Sequence, residues 1–174
     1  MLTRDDLAPL TDELPRTFVE HYLNGRGERL RPGIEDQRCN LLQNPEKSLV
    51  LVDVQLMDES TMHYTDGAGS ELNLPGQSRL DFSADVQGWS GPYFADLGFR
   101  CDNPENTRMG RPYVHVVIST GGPEGPRSEK LHRAALDIAL KYAKAVVADF
   151  PCANPLHLPD SVPESATNFP SPAP

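Results

Sequence analysis

The chain has 174 residues, of which 25 are acidic and 16 basic, for a formal net charge of −9; 38% are apolar and 17 are proline. That length suits one domain, and no apolar run approaches the ~20 residues needed to cross a bilayer. The opening residues lack the basic-then-apolar order of a secretory signal, and Cys39, Cys101 and Cys152, with no CxxC among them, make no disulfide framework, so a reducing cytosol is the default expectation.

Thr3 is placed to cap a first helical turn, with Asp6 three residues on, and Pro9 interrupts it because proline lacks the N–H a helix interior needs. A second start at Thr11 or Asp12, with Leu14, Phe18 and Tyr22 recurring every four residues, predicts a helix stopping near Gly25. Gly25 to Glu46 has no period and reads as a long loop or an edge-strand excursion.

From Ser48 the period becomes two. Val50, Val52, Val54 and Leu56 point one way, with Leu49, Leu51, Asp53 and Gln55 on the other face. Arg79 to Gln87 reads as one strand, Leu80, Phe82, Ala84 and Val86 alternating with Asp81, Ser83 and Asp85. Gly88 to Pro92 reads as a break. Tyr93, Ala95, Leu97 and Phe99 then alternate with Asp96, Gly98 and Arg100. Such alternation belongs to antiparallel strands with one solvated face. Pro112 to Ile118 is apolar almost throughout and predicts a central strand.

Ser119 to Arg127 is a Gly- and Pro-rich loop, followed by a helix from about Ser128 to Phe150. Its core stripe is Leu131, Ala135, Ile138, Tyr142 and Val146; Lys130, Arg133, Asp137, Lys141 and Lys144 form the outer face. Residues 151–174 hold 7 of the 17 prolines and read as an extended or disordered tail beyond a single domain of residues 1–150.

The charge is unevenly spread. Residues 48–99 carry −7 and residues 100–147 carry +3, so the acids fall on the expected wet face of the sheet, centred on Asp53, Asp81, Asp85 and Asp96. A net −9 disfavours a nucleic-acid ligand, and no basic stripe interleaved with aromatics appears.

Three groups of residues could carry function. The first is the loop before the last helix, where Ser119, Thr120, Gly121, Gly122, Arg127 and Ser128 could hold an anion against a helix N-terminus. It departs from the phosphate-loop pattern, because Pro126 stands at the second glycine and Arg127 at the lysine. A turn-rich connection capped by Ser128 is the plain alternative.

The second group is Asp58, Glu59, His63, Asp66 and Glu71, which offers hard oxygens and one imidazole; the spacing fits no calcium loop, and no metal is expected. The third is the acidic face itself, with Trp89 either tucked into the core or exposed as an aromatic anchor. His115 reads as a core or sheet-face histidine, and no complete catalytic motif is present.

These features predict an α+β domain with an antiparallel or mixed sheet of four to six strands, an N-terminal helix and a long C-terminal helix on one face. The first functional expectation is a cytoplasmic, non-catalytic protein-binding or accessory protein without cofactor, using the acidic face and proline-rich tail on a protein partner, to which basic character would be complementary. The second is a small enzyme or ligand-binding domain with an anion site at residues 119–128. No membrane association is expected.

Overall fold

The computed structural model describes residues 2–10, 19–22, 36–44, 47–61, 78–83, 85–90, 94–120 and 129–164. The first element follows from its cap. Thr3 accepts a hydrogen bond from the Asp6 backbone N–H, and the Asp6 carboxylate accepts one from the Thr3 N–H, closing a capping box on α1 (Arg4–Leu7). A 3-10 turn over Ala8–Leu10 continues it, and Leu7 and Leu10 are buried.

Among the described residues seven strands follow: β1 (Val19–Tyr22), β2 (Asp36–Asn44), β3 (Lys47–Met57), β4 (Ser78–Asp81), β5 (Val86–Ser90), β6 (Phe94–Arg100) and β7 (Tyr113–Thr120). A short helix α2 (Pro104–Arg108) lies between β6 and β7, and the long helix α3 (Glu129–Asp149) comes last. Every strand pairing is antiparallel, in the order β1-β2-β3-β7-β6-β5-β4. This is the α+β class expected. It consists of two consecutive meanders joined where β3 meets β7, with Val52 opposite Ile118 and Val54 opposite Val116.

One face of this sheet is built from the period-two residues of β3, β6 and β7. Val50, Val52, Val54 and Leu56, Val114, Val116 and Ile118, and Ala95, Leu97 and Phe99 are all buried. α3 packs on β6 and β7 with Ala135, Ile138, Ala139 and Ala143 buried, the three alanines letting the helix approach closely. The N-terminal helix lies against α3, where Lys141 Nζ is 2.6 Å from Asp6 Oδ2. Partial burial alone would raise the Asp6 carboxyl; its bonds with Lys141 and Thr3 outweigh this and hold it below the usual value.

The structure departs from the sequence reading in four places. Val19–Tyr22 is a strand, not the end of a helix. Leu14, Phe18 and Tyr22 are all even-numbered, so four-residue spacing puts them on one face of a strand as well as of a helix. Pro15 also falls inside the helix that Thr11 would start.

The run Arg79–Gln87 is a hairpin, not one strand. Ser83 N–H donates to Val86 O at 3.2 Å and Asp85 N–H to Ser83 Oγ at 3.3 Å, turning the chain while Leu80, Phe82 and Val86 all stay buried. The expected break at Gly88 is instead part of β5, where a Cβ would stand 2.7 Å from Phe82 Cδ2. Glycine is required there for space.

Finally, Cys101 and Cys152 form a disulfide, with Cα atoms 4.7 Å apart. The wide sequence spacing concealed it, because the fold returns the chain after α3 to the end of β6. The described part of the tail is extended along the body. Ala153 N–H donates to Asp102 O, Asn154 Oδ1 accepts from Asp102 N–H, His157 N–H donates to Asp85 and Lys144 donates to Asp160 O. Val162 is buried. Among the described residues no helix is long and apolar enough to cross a membrane.

Candidate functional site

The face of the sheet turned away from α3 carries the polar halves of the alternating strands. Two rows cross it. Asp53, Val117, Asp96 and Trp89 stand side by side on β3, β7, β6 and β5, and the next row is Gln55, His115, Gly98 and Gln87. Clean alternation predicts water over this face. Its centre is instead closed. Trp89, His115, Asp53 and Asp96 keep 3%, 5%, 6% and 8% of their accessible surface.

The geometry at that centre follows from Gly98. It lies opposite His115, so β6 places no side chain between the imidazole and the next strand. Trp89 meets His115 edge to face across the gap, with ring centroids 6.2 Å apart and planes at 89°. Diagonally, His115 Nε2 stands 3.4 Å from Asp96 Oδ2. On β3, Gln55 Nε2 donates to Asp53 Oδ2 at 3.0 Å.

Burial pushes the Asp96 carboxyl above its usual range; the facing imidazole and a backbone bond with Trp89 draw it back only partly. Among the described residues no hydrogen bond reaches Asp96 Oδ1, either ring nitrogen of His115 or Trp89 Nε1. Three neighbouring side chains on three adjacent strands thus combine deep burial with unused hydrogen-bonding capacity. Together they offer a carboxylate acceptor, an indole N–H donor and an imidazole that can do either.

The residues singled out in the sequence are placed as follows. Asp53, Asp96 and Trp89 belong to this closed centre, so the exposed acidic face expected around them does not form there. Their polarity signalled a wet face, and a buried face lined by polar side chains keeps the same alternation as a solvated one. Asp85 is exposed and accepts from His157 N–H. Asp81 sits in β4 opposite Gln87, its side chain outside the described set.

Of the anion loop, Ser119 pairs with Leu51 and Phe94 while Thr120 pairs with Val50, which turns the two hydroxyl residues to opposite faces. Gly121, Gly122, Arg127 and Ser128 lie outside the described residues, as do His63, Asp66 and Glu71 of the metal cluster. Asp58 caps the helical turn at 59–61, accepting from Ser60 Oγ and from Thr61 N–H and Oγ1. Those bonds hold its carboxyl down at about 2. Among the described residues no cluster of three or more His, Cys, Asp or Glu could hold a metal.

Sequence reasoning also missed the pairing of Ser90 with His132. Ser90 Oγ lies 2.6 Å from His132 Nδ1, a buried bond tying the end of β5 to the first turns of α3 on the helix side. Each is unremarkable alone in the sequence, and only strand register and helix docking bring them together. Compared with protein-family models, with curated proteins and with solved structures, the chain matches none.

Proposed function

We propose that the chain is a ligand-binding domain that holds a small polar molecule on the second face of its sheet, against Trp89, Asp96 and His115. The observation that carries this reading is the unused hydrogen-bonding capacity of three adjacent buried side chains. A buried polar atom without a partner costs about 1–3 kcal/mol. A purely structural sheet face would fill those positions with apolar residues or pair them. A ligand with donors and acceptors at complementary positions supplies the missing partners.

This reading relocates the small-molecule alternative from residues 119–128 to the middle of the sheet. A docking surface for a protein partner draws less support, since Asp53, Asp96 and Trp89 are interior and Asp85 is engaged by the chain's own tail. The disulfide bears on location as well. Such bridges persist in oxidising surroundings, which favours a compartment of that kind over the cytosol.

Trp89 is the chain's only tryptophan, so intrinsic fluorescence reports on the site directly. Titration with a panel of small polar compounds should find ligands that shift its emission. Asp96→Asn and His115→Gln should each weaken that response at least tenfold. A panel that leaves the emission unmoved, or shifts it equally in the variants, would remove the proposal.

A further inference from the structure

We infer that the Trp89–Asp96–His115 centre transfers a proton, with His115 as the base for a small carbonyl compound that carries a C–H bond next to its carbonyl. This rests on the ligand-binding reading above and adds the chemistry. Each of the three groups has a separate part to play. His115 Nε2 stands 3.4 Å from Asp96 Oδ2, within ion-pair reach but not hydrogen-bonded to it, and Nδ1, the second ring nitrogen, is likewise unbonded among the described residues. With its proton on Nε2, facing the carboxylate, the imidazole keeps a lone pair on Nδ1 to accept another. Trp89 Nε1–H is a neutral donor with no acceptor among the described residues, packed edge to face with the same imidazole.

The step balances without a cofactor. The α C–H proton passes to His115 Nδ1, and the electron pair of that bond becomes the carbon–carbon double bond of an enolate. The carbonyl π pair moves onto oxygen, where the Trp89 N–H donates to the developing charge. The proton then returns from Nδ1 to the same carbon or to a conjugated one, giving racemisation or isomerisation. Asp96 exchanges no proton with the substrate; its Oδ2 faces the imidazole. It is a positioning residue that fixes the imidazole and favours the imidazolium formed in mid-reaction. A low-dielectric surrounding makes these charge interactions stronger than they would be in water.

The test is solvent deuterium exchange. The full, oxidised chain is incubated in D2O with acetone, cyclohexanone or pyruvate, and loss of the α-proton signal is followed by NMR. The wild-type chain should exchange at least one probe about 100-fold faster than buffer, within the range general acid–base groups contribute. His115→Gln should return the rate to that of buffer, and added imidazole should raise exchange with His115→Ala above that of the same imidazole without protein, an outcome a misfolded variant cannot give. Asp96→Asn should lower the maximal rate about tenfold in addition to raising the half-saturating probe concentration, whereas a loss of binding alone would leave the maximal rate unchanged.

Exchange no faster than buffer for every probe that shifts Trp89 emission overturns the proton transfer and leaves the binding reading standing. So does exchange that is equal in wild type and His115→Gln. No emission shift from any compound, together with no exchange, overturns both.

Discussion

Asp96 carries an energetic signature that can be read without any ligand. Its carboxyl is raised above the ordinary value of 3.8 because burial penalises the charged form. Below pH 3.8 the group is protonated in both the folded and the unfolded chain, and it brings no penalty. As pH rises from there through its higher folded value, the unfolded chain releases the proton first, so folded stability falls. Urea unfolding of the wild type and Asp96→Asn at pH 4 and pH 8 should therefore differ in slope, the wild type losing stability relative to the variant at the higher pH. Gly88 makes the opposite kind of demand, for space. Gly88→Ala drives a methyl group to 2.7 Å from Phe82 and should cost about 1–3 kcal/mol in thermal or urea unfolding.

At the scale of elements, legibility depended on whether one strand or helix could be judged alone. The stripe Ala135, Ile138 and Val146 reads as a helix because 3.6-residue periodicity is an internal property of the segment, and α3 ends within a residue of the expected place. β3 and β6 were legible for the same reason. β1 was not, because Phe18 and Tyr22 satisfy both periods. The hairpin between β4 and β5 was hidden because Leu80, Phe82 and Val86 are apolar on either side of it.

The candidate site was harder still. His115 and Asp96 are ordinary in their own strands and become a pair only through the β6–β7 register, with Gly98 keeping the space open. The disulfide likewise joins elements far apart in sequence. It closes a loop of 51 residues, for which loop-closure entropy gives about 4 kcal/mol of stabilisation. Cys152→Ser should lower urea stability by that order, and a reductant should do the same to the wild type while leaving the variant unchanged.

For the whole molecule, the −7 of residues 48–99 looked like one solvated face, yet Asp53 and Asp96 turn inward and Asp85 holds the tail. The tail in turn spans the body, from the bridge at Cys152, past Asp85, to Val162 buried beside the core. The junction of the two meanders has a further consequence, for how fast the chain folds. Within each meander every strand pairs with its chain neighbour, but β3 and β7 meet with Val54 opposite Val116 across a long stretch of sequence. Closing that stretch comes before any reward from the contact, so the meeting of the halves sets the barrier. In stopped-flow refolding, Val116→Ala should slow folding nearly in proportion to the stability it removes, placing β7 in the nucleus. Val162→Ala should leave the folding rate alone and speed unfolding, because the strap settles only after the sheet has closed.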